Sequence, residues 1–310
     1  MSSKQAFLFP GQGAQFVGMG YDFYESFPEA RAVFDQASAV LGSEFLETIF
    51  SGPEDKLQQT EFAQPAILAV SIAIFRVLES KGLKPAGLAG LSLGEYSALV
   101  TAGSLSFEDA LPLVQKRGIY MQEAVPLGIG KMAAIMGLAH EKVEEVCREA
   151  QAEGLVAPAN YNCPGQIVIS GHKEAVELAQ KLAGEAGAKK IAELKVSAPF
   201  HCALLEPVEE KMAHELDKID IKKASIPIVS NVSAAFIEDP QQIKNNLVKQ
   251  VSKPILWEQS ILNLIESGIN SFIGVGPGNS PARLMKRIAP ELQTVPIEKA
   301  AQVEKLLNQM

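Results

Sequence analysis

Residues 86–103 read AGLAGLSLGEYSALVTAG and contain the pattern G-x-S-x-G at Gly90, Ser92 and Gly94. Small apolar residues precede the serine and a helical pattern follows it, so the segment predicts a strand, a tight turn and a helix. In that arrangement Ser92 stands on the turn as a candidate nucleophile. The same pattern fits a serine that only caps the helix, with Glu95 completing a capping box.

The patterns on either side of this segment indicate an α/β protein, because short apolar runs alternate with amphipathic helical ones. QAFLFPG (5–11) is typical of a strand that Pro10 and Gly11 end. PAILAVSIAIFRVLESKG (65–82) is typical of a long helix with Pro65 in its first turn.

Residues 130–197 follow a different pattern, in the order strand, helix, strand, strand, helix, strand, which is the ferredoxin-like order. We therefore expect a ferredoxin-like small subdomain at 129–197, inserted into a large α/β subdomain formed by 1–128 and 198–310. Such an insertion leaves a cleft between the two units, where binding sites tend to form.

Composition excludes several classes of protein. A net charge of −8 over 310 residues argues against a nucleic-acid binder, which needs a basic face. We find no apolar run near the ~20 residues of a membrane span, and the apolar stretch after MSSKQ is too short for a signal peptide. Cys147, Cys163 and Cys202 have no metal-binding spacing and cannot all pair, which favours a reducing compartment, the cytoplasm.

A serine needs a base to become a strong nucleophile, and histidine is the usual base. Of the four histidines, His140, His172 and His214 lie in charged helical patterns. His201 instead lies between apolar residues in VSAPFHCALLEP (196–207), directly after the predicted small subdomain. A histidine in such surroundings is often a core residue, but the place of His201 at the predicted cleft makes it the candidate base.

Arg117 lies on the apolar stripe of a predicted helix. In SFEDALPLVQKRGIYMQEA (106–124) apolar residues recur at spacings of three and four, and Arg117 falls among them whereas Lys116 does not. A buried guanidinium keeps its charge and therefore needs an anion. That anion is either an internal Asp or Glu or a substrate carboxylate held by both arms of the guanidinium.

Two loops offer backbone N–H groups to the same place. FPGQGAQ (9–15) follows the first predicted strand, and its N–H groups near Gln12 could face Ser92. The N–H of Leu93, at the start of the helix after Ser92, points at a developing oxyanion. The two loops thus form a candidate oxyanion hole, although 9–15 could equally be an ordinary tight turn.

Six segments together resemble the family of malonyl-CoA:acyl carrier protein transacylases. They are FPGQGAQFVGMG, GLSLGEYSALVTAG, QKRGIYMQEA, NYNCPGQIVISG, SAPFHCALLEP and GVGPG, in the family's order and spread over nearly the whole chain. The resemblance implies an α/β-hydrolase-like large subdomain with an inserted ferredoxin-like (βαββαβ) small subdomain, in agreement with the order of elements above.

The resemblance also implies roles for single residues. Ser92 matches the serine that is acylated, His201 matches its general base, and Arg117 matches the arginine that pairs with the malonyl carboxylate. The remaining matches concern backbone groups and the cleft: Gln12 and Leu93 as backbone oxyanion donors, Gln250 as the backbone carbonyl that orients the histidine, and Asn160 and Asn162 near the cleft.

Three positions bear on selectivity or depart from the family. Phe200, before the histidine, is the residue expected of malonyl-selective members. Leu91 stands where most members have histidine before the nucleophile, and Gly274 where many have glutamate. These departures leave the nucleophile, the base and the carboxylate clamp in place.

The function implied is transfer of malonyl from malonyl-CoA to acyl carrier protein for fatty acid synthesis, by a ping-pong reaction without a metal or redox cofactor. We expect a cytoplasmic monomer without nucleic-acid or membrane partners. Because the carrier is acidic and this chain is net negative, docking needs a local basic patch. The candidates are Lys189, Lys190, Lys195, Lys286 and Arg287.

Other functions fit part of the pattern. A serine hydrolase or thioesterase shares G-x-S-x-G and a histidine, but a hydrolase of neutral acyl chains gains nothing from a buried Arg117. A trans-acting malonyltransferase of a polyketide synthase would carry the same residues. A partner-binding α/β domain without chemistry predicts no acylation of Ser92.

Overall fold

The computed structural model describes residues 4–194, 196 and 198–308, so Lys195, one of the candidate docking residues, lies outside the described residues. The strands in this part of the chain are β1 (Gln5–Phe9), β2 (Gly87–Gly90), β3 (Gly130–Met136), β4 (Val156–Cys163), β5 (Gln166–His172), β6 (Lys190–Glu193), β7 (Ile228–Val229), β8 (Phe236–Ile237), β9 (Ser271–Val275) and β10 (Gln293–Ile297). The α-helices are α1 (Tyr21–Ser26), α2 (Pro28–Leu41), α3 (Glu44–Phe50), α4 (Glu54–Gln58), α5 (Thr60–Ser80), α6 (Leu93–Thr101), α7 (Phe107–Glu123), α8 (His140–Ala150), α9 (Lys173–Glu185), α10 (Glu206–Leu216), α11 (Pro240–Gln250), α12 (Trp257–Glu266), α13 (Ser280–Ile288) and α14 (Ala300–Leu307).

Six strands form a sheet in the order β10–β9–β1–β2–β7–β8, in which only the β7–β8 pair is antiparallel among the described strands. β1 is apolar throughout its centre because both faces of the sheet are covered: Phe7 and Phe9 belong to one hydrophobic cluster, Ala6 and Leu8 to another. β1 and β2 run side by side in parallel, so the loops after them meet at one edge of the sheet.

α5 begins at Thr60, five residues before the start predicted at Pro65. Proline favours a first turn but is not confined to it; here it removes the one N–H that would bond to the carbonyl of Glu61, and the helix continues through it. Contrary to the sequence-based expectation, α5 is long and apolar enough to cross a membrane. Because 83% of its most apolar window is buried, and it packs on α2, α6 and α7, it is the central helix of the core.

Four strands form a second, antiparallel sheet in the order β4–β5–β3–β6. The apolar sides of α8 and α9 share one buried cluster with β3, β4 and β5. Along the chain these elements follow in the predicted order: β3, α8, β4, β5, α9, β6. The protein is therefore a mixed α/β fold with two sheets.

The strand β4 joins the second sheet to the segment between α11 and α12, through an isolated bridge of Asn160 with Ile255. The N–H of Ile255 donates to the carbonyl of Ala159 at 2.8 Å, and the N–H of Tyr161 donates to the carbonyl of Ile255 at 2.9 Å. At the far end of β4, Arg287 of α13 donates to the carbonyl of Pro164 at 2.9 Å. These contacts hold β4 against the segment before α12 and against α13.

Candidate active site

Ser92 stands on a strained turn between β2 and α6. Its backbone has φ 53° and ψ −104°, a conformation that non-glycine residues rarely adopt and that clusters at functional sites. The flanking glycines are required by close packing. A Cβ on Gly90 would lie 1.9 Å from the carbonyl of Gly94, and a Cβ on Gly94 would lie 2.4 Å from the carbonyl oxygen of Phe9. The turn has the strand–turn–helix geometry expected of a nucleophile elbow.

Asn231, which the sequence analysis missed, holds this turn. Its Oδ1 accepts from the N–H of Ser92 at 2.7 Å, and its Nδ2 donates to the carbonyl of Gly90 at 2.7 Å. The Nε2 of Gln250 donates to the carbonyl of Ser92 at 3.0 Å. The available signal was a polar residue two positions after the apolar strand β7, at the edge of the sheet where ligands bind.

The Ser92 side chain does not cap α6, which rules out the helix-capping alternative. Its Oγ lies 2.8 Å from Nε2 of His201. The Nδ1 of His201 lies 2.8 Å from the backbone carbonyl oxygen of Gln250, so Nδ1 carries the proton and Nε2 is free to accept one. The pair therefore has the geometry of a serine and its general base.

His201 is buried, and burial lowers the pKa of its imidazole to about 3. Burial is the largest cause of this lowered pKa; the positive charge of Arg117 contributes to it, and the hydrogen bond to the carbonyl of Gln250 opposes it. The imidazole is consequently neutral at physiological pH and able to accept a proton. His214 is exposed, as the sequence suggested, whereas His140 and His172 are half-buried; His140 lies 3.2 Å from a carboxylate oxygen of Glu258.

Arg117 is buried, and its partners are oxygens of uncharged groups. Nη1 donates to Oε1 of Gln64 at 2.8 Å; Nη2 donates to Oε1 of Gln250 at 2.9 Å and to Oγ of Ser92 at 3.1 Å. Over the described part of the chain, no carboxylate lies within salt-bridge distance of this guanidinium, and its Nε has no hydrogen-bond partner. Nη2 is the part of the guanidinium that contacts Ser92, whereas Nε is buried.

Glu95 completes the cluster of buried polar groups around the backbone of Ser92. It is buried, its Oε2 accepts from Nε2 of Gln250 at 2.6 Å, and burial raises the pKa of its carboxyl to about 7. Sequence reasoning considered Glu95 only as a capping-box residue and missed Gln64 altogether. Both are helix residues whose importance comes from contacts across the fold, which no local pattern reveals.

A cleft of about 700 Å³ opens above these groups, between the two sheets. The sequence-predicted residues that line it are Gln12, Ser92, Arg117, Asn160, Asn162, Phe200 and His201. Leu91 also lines the cleft, as do the apolar side chains of Met132 and Val168. Leu93 is the first residue of α6, where the backbone N–H groups of a helix have no partner within the helix.

Four predicted residues lie away from the cleft: Lys189, Lys190, Lys286 and Arg287 are exposed and do not line it. Gln12 donates from its side chain to Oγ1 of Thr60 at 3.1 Å, which fixes the loop after β1. Within the described residues, no three His, Cys, Asp or Glu side chains are grouped as metal ligands. Cys147, Cys163 and Cys202 are free and buried.

The arrangement suits acyl transfer through a covalent ester. A neutral histidine contacts a serine on a strained turn, and a buried cation lies beside the same oxygen. Neutral polar groups alone would serve any acyl chain, whereas a buried guanidinium whose hydrogen-bond partners are uncharged favours an acyl group that carries a negative charge.

Comparisons with known proteins agree with this chemistry. The model of the acyl transferase domain family matches residues 6–302. The malonyl CoA-acyl carrier protein transacylase of Bacillus subtilis is 47% identical over 303 residues, covering 97% of this chain and 96% of the relative.

Two solved structures are similar over almost their whole length. The acyl carrier protein S-malonyltransferase of Vibrio cholerae is 43% identical with a TM-score of 0.96, covering 98% of this chain and 100% of the other. A malonyl-transacylase in complex with its type II PKS acyl-carrier protein is 41% identical with a TM-score of 0.97, covering 99% of this chain and 100% of the other.

Proposed function

We propose that this chain, which belongs to the acyl transferase domain family, transfers the malonyl group of malonyl-CoA to the phosphopantetheine thiol of acyl carrier protein. The observation that carries the proposal is the contact of Arg117 with Ser92, 3.1 Å from Nη2 to Oγ. In a malonyl ester the free carboxylate lies two carbon–carbon bonds from the ester carbonyl carbon. A guanidinium beside the ester oxygen is therefore within reach of that carboxylate, and the names of the relatives point to the same acyl group.

In the first half-reaction, Nε2 of His201 takes the proton of Ser92 while Oγ attacks the thioester carbonyl of malonyl-CoA. The N–H groups of Leu93 and Gln12 stabilise the negative charge that forms on the carbonyl oxygen. The imidazolium then gives its proton to the leaving sulfur, and coenzyme A departs. The carbonyl of Gln250 keeps the imidazole in the tautomer that this sequence of proton transfers requires.

In the second half-reaction, the carrier's thiol attacks the malonyl-serine ester, with His201 as the base again and Ser92 as the leaving group. Arg117 pairs with the acyl carboxylate through both steps. Gln64 and Gln250 keep the guanidinium oriented for this contact. Every proton transfer is assigned to His201, so the reaction requires no metal or redox cofactor beyond the coenzyme A thioester.

Residues 1–128 and 198–310 form the proposed α/β-hydrolase-like catalytic subdomain, and residues 129–197 form the proposed ferredoxin-like one. Support comes from the two separate sheets and from the helices α8 and α9, which pack on the second sheet alone in one cluster. Asn160 and Asn162 would line the acyl and pantetheine path from the small subdomain, and Phe200 from the large one. We place the enzyme in the cytoplasm as a monomer that supplies malonyl units for fatty acid synthesis.

The proposed docking surface for the acidic carrier crosses the junction of the two sheets. The side chain of Lys189 lies against Gly137, whose N–H donates to the carbonyl of Gly165 at 2.8 Å. Gly165 belongs to the turn between β4 and β5, and Arg287 donates to the carbonyl of Pro164 in the same turn. The proposed docking residues are Lys189, Lys190, Lys286 and Arg287. The turn follows the cleft residue Asn162 closely in sequence, which favours a carrier bound at this end.

Two other functions make different predictions. A thioesterase of the α/β-hydrolase type would release its acyl group to water. A malonyltransferase of a polyketide synthase would perform the same chemistry on another carrier, a possibility favoured by the similarity to the transacylase solved with a type II PKS carrier.

The fate of the malonyl-enzyme separates these functions. The purified protein is loaded with malonyl-CoA, freed of the excess, and divided between buffer, the holo carrier of fatty acid synthesis and a holo polyketide carrier. We expect rapid transfer to the first carrier and slow decay in buffer. Equal rates of loss with and without carrier would identify a hydrolase, and transfer to the polyketide carrier alone would identify the second alternative.

A further inference from the structure

The carboxyl of Glu95 is a buried ionisable group that the mechanism above does not use. It lies one helical turn after Ser92, and its Oε2 accepts from Nε2 of Gln250 at 2.6 Å and from the N–H of Asn231 at 3.2 Å. Asn231 and Gln250 are also the two residues that hold the backbone of Ser92. Glu95 therefore holds in place Asn231 and Gln250, the two residues that bind the backbone of Ser92.

The amide of Gln250 connects Glu95 to Arg117. Its nitrogen donates to the carboxyl, and its oxygen accepts from Nη2 of Arg117 at 2.9 Å. The amide orientation follows from these two neighbours, because only the oxygen can accept from a guanidinium. Glu95 and Arg117 are thus opposite charges buried on the two sides of one amide group, and the charge of Glu95 favours the charged form of Arg117.

The charge balance of this buried cluster changes when substrate binds. In the empty cleft, the ionised carboxyl of Glu95 offsets the charge of Arg117. When the carboxylate of an acyl group binds Arg117, two negative charges share one positive charge, and both Glu95 and Arg117 are buried. An uncompensated buried charge is costly, and a carboxyl commonly avoids that cost by taking up a proton.

We propose that Glu95 is the counter-charge of Arg117 in the empty cleft and takes up one proton from solvent when the acyl carboxylate binds Arg117. The inference rests on the proposed function, because it needs an acyl group with a carboxylate. The step is a protonation only: one proton from solvent adds to the carboxylate of Glu95. The resulting carboxylic acid keeps one oxygen that accepts the hydrogen bond from Gln250. Glu95 would be a positioning residue that couples acyl selectivity to pH.

The other ionisable groups of the site do not titrate near neutral pH. Burial raises the pKa of Tyr96 to about 12 and lowers that of His201 to about 3, and Arg117 retains its charge. The uncharged polar groups around the carboxyl are those of Ser230, Asn231 and Gln250. Because burial holds the pKa of Glu95 at about 7, among the described groups of the site this carboxyl is the one poised to exchange a proton.

The direction of the pH effect follows. Below about pH 7, Glu95 is protonated in the empty cleft, so malonyl-CoA binds without proton exchange. Above that pH, Glu95 is ionised and must take up a proton to permit binding, so affinity falls by up to about tenfold per pH unit. Acetyl-CoA, which lacks the carboxylate, should show no such dependence on Glu95.

The test uses the Ser92→Ala variant, which cannot be acylated, and its matched partner Ser92→Ala/Glu95→Gln. Dissociation constants of malonyl-CoA and acetyl-CoA are measured by calorimetry from about pH 6 to about pH 9; their ratio cancels the titration of coenzyme A itself. Repeating the titrations near pH 8 in two buffers of different ionisation enthalpy gives the number of protons taken up.

We expect the preference for malonyl-CoA in Ser92→Ala to fall at least tenfold over this range, with nearly one proton taken up near pH 8. In the double variant the preference should be constant, with no uptake. A constant preference without uptake in Ser92→Ala overturns the proposal, as does an unchanged pH dependence after Glu95→Gln. If the double variant does not fold, the single variant decides alone. Absence of malonylation in the wild-type chain would instead refute the proposed function.

Discussion

Arg117 and Ser92 contact each other directly: Nη2 of the guanidinium lies 3.1 Å from the hydroxyl oxygen. The residue proposed to hold the acyl carboxylate and the residue proposed to carry the acyl group thus meet at one point. Because Arg117 is buried and its partners are amide and hydroxyl oxygens, the substrate carboxylate would be its first anionic contact.

Replacing Arg117 with Ala should lower kcat/KM for malonyl-CoA by about 100- to 1,000-fold, since two charge-assisted hydrogen bonds to the carboxylate are lost. The loss for acetyl-CoA should be about tenfold or less. Lys116→Ala is the matched control. Lys116 does not line the cleft, and its Nζ lies 2.7 Å from a carboxylate oxygen of Glu215. Equal losses for both thioesters would contradict the carboxylate role.

Asn231→Ala should slow acylation by about 10- to 100-fold and lower the free energy of unfolding by about 1–3 kcal/mol, because the N–H of Ser92 loses its partner. Asn263→Ala is a suitable control, since Asn263 donates to the backbone of the same loop, at Ala234, without contacting Ser92. Rapid-quench acylation and thermal unfolding measure the two effects. If both variants lose stability alike and neither loses activity, Asn231 has only a structural role.

The pH profile of acylation tests the state of His201. Since the pKa of this imidazole is lowered to about 3, the base is neutral at every pH above that value. We therefore expect acylation at saturating malonyl-CoA to be nearly constant between about pH 5 and about pH 7. With an ordinary histidine of pKa about 6.5, the rate would fall about 25-fold from about pH 7 to about pH 5. A rate that falls with an apparent pKa near 6.5 would contradict the neutral, buried base.

Folding stability gives an independent check on His201. The unfolded chain binds a proton at this residue below about pH 6.5, whereas the folded chain does so only near pH 3. Stability should therefore fall by about 1.4 kcal/mol per pH unit as the pH drops below 6.5, and His201→Gln should remove this contribution.

The docking surface predicts a salt-dependent effect. Lys286→Glu and Lys189→Glu should raise KM for the acyl carrier protein by about 3- to 10-fold at low salt and less at high salt, because these charges are exposed and screened. Hydrolysis of the malonyl-enzyme by water should not change. Lys305→Glu on α14 is the exposed control. If the control and the two docking-surface variants had the same KM for the acyl carrier protein, the proposed docking surface would be wrong.

Much of the site could be predicted from short sequence patterns, because these patterns reflect the backbone geometry and burial of neighbouring residues. Gly90 and Gly94 signal a turn too tight for a Cβ, and Arg117 on an apolar stripe signals a buried charge. The order of elements from β3 to β6 was predicted for the same reason, since hydrophobic periodicity depends on neighbouring residues. The roles of Ser92, His201 and Arg117 in a particular reaction came from the family resemblance.

The missed features depend on contacts between distant parts of the chain. Asn231 lies 139 residues from Ser92, and Gln64 lies 53 residues from Arg117, so no periodicity connects them. Glu95 has the spacing of a capping residue, but the fold uses it to hold Gln250. The early start of α5 likewise reflects tertiary packing, which tolerates Pro65 inside the helix.

The central claim, that Ser92 carries a malonyl group destined for a carrier thiol, is tested most directly by intact-mass measurement. Wild-type protein mixed with malonyl-CoA should gain the mass of one malonyl group and lose it when holo acyl carrier protein is added, with the same mass appearing on the carrier. Ser92→Ala should gain nothing. An adduct that persists in Ser92→Ala, or a wild-type adduct that the carrier cannot discharge, would contradict the account.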